Sequence, residues 1–160
     1  MKKLLLFYFS FIFLLFLSCK DNAPTATGEG LDAAQLREEV EAAVWAFHAA
    51  DTSRDAEAVI DLLWPECTML VDGNQYSYDQ LSSGARQFMS SLAVFETQWT
   101  NLMVIPVAEN AAIASFTFRD SIVNKAGELT LSKGPNTFLW QKRSGVWKVL
   151  YGDADHYPVE

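Results

Sequence analysis

Cysteine and histidine are scarce, with two of each in 160 residues. Cys19 and Cys67 are too few for a disulfide framework, and with His48 and His156 they show no zinc-ligand spacing. Positive charge is also short: 12 Lys and Arg against 20 Asp and Glu, a net charge of −8. Such a chain is repelled by phosphate backbones, and no basic cluster offsets the repulsion, so nucleic acid is excluded as a partner. The one long apolar run, residues 4–17, is about fourteen residues. A membrane-spanning helix needs ~20. No segment repeats.

That run is instead the centre of a secretory leader. Lys2 and Lys3 precede it, and Ser18 and Cys19 close it. Phe16-Leu17-Ser18-Cys19 resembles a bacterial lipobox. The resemblance implies cleavage before Cys19 and acylation of that residue, a stable anchor once several chains each bury methylenes at ~0.8 kcal/mol. Lys20, not Asp, follows the cysteine, which favours the outer membrane, facing the periplasm or the cell surface. Without residues 1–18, which carry Lys2 and Lys3 and no acid, the net charge goes from −8 to −10. Residues 19–30 hold the lipidated cysteine and a polar, Gly- and Pro-containing tether. Residues 31–160 are one domain, long enough to bury a core. Cys67, among apolar neighbours, reads as a buried structural thiol.

Within the domain, Asp32 and Gln35 predict a capped helix whose stripe is Leu36, Val40, Val44 and Phe47. Asp51 breaks it and caps the next, which runs to Trp64 before Pro65. Asp72-Gly73 predicts a hairpin turn, and Asp79 a cap for a third helix. From residue 95 onward the period is that of strands: four long ones, broken near residues 109, 124–127 and 144–145. Pro106 marks an edge or a bulge. Helices first and strands last predict an α+β domain: three N-terminal helices packed on a strongly curved antiparallel sheet.

That order, over residues 36–157, resembles the nuclear transport factor 2-like superfamily, and its SnoaL-like group in particular. Two stretches carry the likeness. One is Asp51 to Leu63 leading into Trp64-Pro65-Glu66-Cys67-Thr68-Met69; the other is Gly145-Val146-Trp147-Lys148-Val149. The resemblance implies a cone-shaped fold with an apolar cavity, often paired into homodimers through the outer sheet face. Leu139, Val104 and Leu150 are candidates for that face. Ketosteroid isomerase belongs to the same superfamily, but its oxyanion tyrosine falls at Phe47 and its base near Asp72, a turn residue, so that activity is not expected.

Strand alternation gives the candidate site. Trp147, Val149, Tyr151 and Asp153 share a face if β-pleating is unbroken. Trp99 and Asn101 share one, as do Phe116, Phe118 and Asp120. Pocket-lining candidates are therefore Phe47, Trp99, Asn101, Phe116, Phe118 and Asp120, with Asp153, Tyr151 and His48 as catalytic candidates and no metal or cofactor. His156 and Asp51 read as a surface and a capping residue. The expected function is binding of a small apolar molecule in an aromatic-lined cavity. An acid/base enzyme (isomerase, cyclase or hydrolase) and a dimeric interaction module remain open beside it.

Overall fold

The computed structural model describes residues 32–159. The leader, Cys19 and the tether lie outside the described residues. Helix α1 (Ala33–Thr52) starts on Asp32, whose carboxylate accepts from the amides of Ala34 and Gln35 at 3.1 Å. Gln35 does not reach back to complete a capping box; its side chain donates to Glu39 at 3.2 Å. Leu36, Val40, Val44, Phe47 and Ala50 are buried, the expected stripe continued by one step. Helix α2 (Ala56–Asp61) is shorter than the run to Trp64 that Pro65 suggested. Strand β1 (Leu63–Val71) already pairs at Leu63, and Pro65 falls where its pairing is interrupted, so the missing N–H breaks no ladder bond.

Strand β2 (Asn74–Ser77) returns across Asp72 (φ 51°) and Gly73 (φ 77°), the left-handed pair that a two-residue hairpin requires. Helix α3 (Tyr78–Ser91) is capped by Ser77, not Asp79: Gln80 Oε1 accepts from the Ser77 amide at 2.9 Å and Ser77 Oγ accepts from the Gln80 amide. Four long strands follow, β3 (Leu92–Ala108), β4 (Ala111–Asn124), β5 (Leu129–Arg143) and β6 (Val146–Ala154), then a short β7 (Tyr157–Pro158).

The sheet runs β2-β1-β6-β5-β4-β3, with β7 added to β5. Three helices pack on this curved, unclosed sheet, an α+β arrangement. β1 pairs antiparallel with β2, and β3 through β6 pair antiparallel in succession, whereas β1 and β6 are parallel, making the sheet mixed. No hairpin joins β1 to β6, so nothing forces them to run in opposite senses. Trp147 of β6 donates from Nε1 to Glu39 Oε2 at 2.8 Å, which ties the last long strand to α1. Among the described residues no helix is long and apolar enough to cross a membrane.

Two bulges decide which side chains face the helices. On β3, Thr100 opposes Thr117 and Met103 opposes Ser115, so three steps on β3 match two on β4; Asn101 absorbs the extra residue at φ 57°. On β6, Val149 opposes Trp140 and Tyr151 opposes Leu139, so Leu150 is the extra residue. Each bulge flips the alternation beyond it. Val104 is consequently buried rather than on the outer face, and Met103, Ile105 and Val107 are exposed. Beyond Leu150, Gly152 faces inward, where an added Cβ would lie 2.9 Å from Phe138 and 3.0 Å from Met69.

Candidate functional site

Two neighbouring chambers open between the helices and the sheet. A polar one of about 170 Å³ includes Thr97, Trp99, Phe118, Asp120, Asn136 and His156 in its lining. An apolar one of about 380 Å³ lies under α3, with Val59, Leu63, Met69, Leu81 and Met89 among its walls. Phe47, Asp51 and Phe88 line both, so they form the shared wall.

The aromatic wall is continuous. Trp99 stacks on Phe116 with centroids 4.1 Å apart, and Phe116 meets Phe138 edge-on at 5.8 Å. Phe47 contacts Trp99 at 6.1 Å and Phe138 at 5.3 Å. Phe47, Trp99, Phe118 and Asp120 therefore stand where the sequence places them, at the cavity. Phe116 backs that wall from behind, 3% exposed.

Other expected residues lie elsewhere. Tyr151 and Asp153 follow the Leu150 bulge, so they face away from the helices; Tyr151 is 41% exposed, and Gly152 and Ala154 take the inward positions. Asn101 is itself the irregular residue of β3 and is exposed. His48 sits beside the wall rather than in the cavity. Its ring is 4.8 Å from Trp99, and Nε2 lies 3.4 Å from the Thr97 carbonyl oxygen.

Three site residues were read otherwise or passed over in the sequence. Asp51 does not end α1, which continues to Thr52; it lies four residues after Phe47, on the buried stripe, in the final turn. Burial, followed by the nearby Asp120 carboxylate, pushes the Asp51 carboxyl up from 3.8 to about 7. The carbonyl end of the helix opposes a negative charge there as well. Asp120 is also raised by burial, with the Thr97 hydroxyl and His156 pulling against that rise. Its Oδ1 is buried without a hydrogen-bond partner, as is Oδ1 of Asn136.

His156 is the third. The chain after β6 crosses Gly134 so closely that a Cβ there would lie 1.7 Å from the Asp155 carbonyl oxygen. This crossing brings the His156 ring to 4.9 Å from Phe118. Asp72, in the β1–β2 turn, holds it: Oδ1 accepts from the His156 amide at 2.7 Å and lies 3.1 Å from ring Nδ1. Nδ1 is thus engaged by a carboxylate, the arrangement that fixes a histidine's orientation and tautomer. Among the described residues no three His, Cys, Asp or Glu side chains are grouped to hold a metal ion.

Solved structures share this architecture. A nuclear transport factor 2-like superfamily protein from Salmonella enterica serovar Typhimurium aligns over 79% of this chain and 94% of its own, at 15% identity and TM-score 0.69. A ketosteroid isomerase-like protein from Erwinia carotovora atroseptica aligns over 77% and 97%, at 19% identity and TM-score 0.66. A hexachlorocyclohexane dehydrochlorinase aligns over 80% and 94%, at 14% identity and TM-score 0.66. The chain therefore has the nuclear transport factor 2-like fold. No family model and no curated protein matches the sequence.

Proposed function

We propose that the domain binds a small, largely apolar molecule and moves a proton on it, with Asp51 and Asp120 as an acid–base pair that shares one proton. The observation carrying this reading is the placement of two carboxyls in one aromatic cavity, with Asp51 pushed to about 7. A carboxyl near 7 is divided between acid and base at neutral pH, where general base catalysis is most effective. Two neighbouring carboxyls do not both ionise readily, so the pair retains a proton. In the reaction, the ionised member of the pair accepts a proton from a carbon next to a carbonyl. The protonated member donates a hydrogen bond to the oxygen on which charge develops. Return of the proton to the same or a neighbouring carbon completes exchange or isomerisation. His156, held by Asp72, stands at the same chamber and can pass protons to solvent.

Deuterium uptake at the α-carbons of 2-tetralone in D2O, followed by proton NMR, tests the assignment. Uptake should exceed the buffer rate and fall as pH rises past about 7, where the pair loses its shared proton, and Asp51→Asn should slow it by about 10²–10⁴-fold. Wild-type uptake no faster than buffer, or an unaffected Asp51→Asn protein, would overturn it.

We also propose that the chain is an outer-membrane lipoprotein held through Cys19, with the domain outside the cytoplasm. The support is the sequence Phe16-Leu17-Ser18-Cys19 at the end of the apolar run. Cells fed an alkyne fatty acid should label the wild-type protein and not the Cys19→Ala variant; equal labelling of both would refute the anchor.

A further inference from the structure

We infer that the ligand is an amphiphile whose polar end is an uncharged or cationic hydrogen-bond donor, a hydroxyl or an amine, and whose apolar body lies in the chamber under α3. This rests on the two-chamber cavity being the functional site, as proposed above, and adds the class of molecule it takes.

The charge of the cavity sets the polar end. Neither chamber has a Lys or Arg in its lining, while Asp51 and Asp120 both face the polar one. A carboxylate or phosphate there would meet two carboxyls in surroundings of low polarity, where repulsion is strong, and the one cationic candidate in the lining, His156, is already engaged by Asp72. A neutral or cationic group meets no such penalty.

Hydrogen-bond bookkeeping selects a donor. Oδ1 of Asp120 and Oδ1 of Asn136 are buried acceptors without partners among the described residues. A buried acceptor left unpaired is costly, and only a donor relieves that cost. An ether or ester oxygen would add a further acceptor to the same place. This is compatible with the proposed reaction, because a carboxyl pair that shares one proton can accept a donor at one oxygen while it donates to a carbonyl oxygen from another.

Volume and lining place the rest of the molecule. At about 170 Å³ the polar chamber suits a head group, whereas the 380 Å³ apolar chamber falls in the range of small-molecule sites. Met69 and Met89 line it, side chains that adapt to an irregular guest. Gly84 of α3 also lines it, and a Cβ added there would touch nothing within 4 Å. Gly84 is exposed, so a larger residue there extends into open space at the chamber's rim without a clash.

Calorimetric titration of the full chain at pH 8 with four naphthalene probes tests this: 2-(2-naphthyl)ethanol, its methyl ether, 2-(2-naphthyl)ethylamine and 2-naphthylacetate. The alcohol and the amine should bind at least tenfold more tightly than the carboxylate, and the alcohol at least fivefold more tightly than its ether. Gly84→Leu should weaken alcohol and amine tenfold or more while keeping the wild-type melting temperature. Carboxylate or ether binding as tight as the alcohol would overturn the donor assignment. Unchanged affinities in a folded Gly84→Leu protein, or no binding of any probe, would overturn the two-chamber placement. These readouts are independent of deuterium uptake: selective binding without Asp51-dependent exchange would sink the proton-transfer reading and leave the ligand class standing.

Discussion

Asp51→Asn is expected to stabilise the domain at pH 8 and to have no such effect below pH 4. The folded carboxyl titrates at about 7 and the usual value is 3.8. Between those limits the native state keeps a proton that the unfolded chain has released, so stability falls as pH rises through the window. Each pH unit is worth about 1.4 kcal/mol, so the whole window amounts to something on the order of 4 kcal/mol. Asparagine cannot ionise and escapes this loss. Its melting temperature should exceed wild type by about 10 °C at pH 8 and converge with it toward pH 4. Superimposable melting profiles across that range would show that Asp51 is an ordinary solvated acid. The expected loss of proton transfer in the same variant makes this a site where stability has been traded for activity.

The other large effect belongs to the ring behind the cavity. Trp140 is fully buried, 6.4 Å from Phe47 and 6.2 Å from Phe138. Trp140→Ala should cost about 3–5 kcal/mol, through lost burial and the void left in a packed wall. Trp140→Phe separates the ring from its polar atom. Nε1 of Trp140 is buried without a partner, and removing such a group recovers about 1–3 kcal/mol. That gain offsets much of the lost volume, so the phenylalanine variant should fall within about 1 kcal/mol of wild type. Urea midpoints of the two variants give the comparison. Similar losses in both would mean that the indole nitrogen contributes favourably through a contact absent from the described residues.

Much of the architecture was legible because it rests on local rules. The stripe Leu36, Val40, Val44, Phe47 follows helical spacing, Asp72-Gly73 adopts the left-handed pair its sequence demands, and Pro106 lies on β3, the edge strand of the sheet. The wall residues Trp99 and Phe118 were readable for the same reason: Trp99 precedes the Asn101 bulge on β3, and Phe118 lies on β4, whose pairing with β5 is unshifted. Reading failed where one inserted residue reversed a face. Nothing in Tyr151-Gly152-Asp153 announces that Leu150 is unpaired with β5, yet that bulge sends Tyr151 and Asp153 outward. In retrospect Gly152 is a local signal, since only a residue without Cβ fits against Phe138 and Met69.

Asp51 is the more instructive case. Asp51 sits beside Thr52 and Ser53, so capping was the economical reading. Yet it also falls four residues after Phe47, on the apolar stripe, and α1 has no basic residue in its last turn to favour an acid there. An acid that violates burial and helix polarity together is the kind of local inconsistency that accompanies a functional site. His156 carried no comparable signal. Its position depends on the close crossing over Gly134 and on the grip of Asp72, 84 residues away.

The protonation of Asp51 is the point on which the reading turns. Carboxyl-carbon NMR of aspartate-labelled protein, titrated from pH 3 to 9 and assigned with Asp51→Asn, measures it directly. The cavity described here predicts a midpoint near 7 for Asp51. A midpoint near 4 would contradict it, since a carboxylate ionised throughout would be neither desolvated by the aromatic wall nor coupled to Asp120.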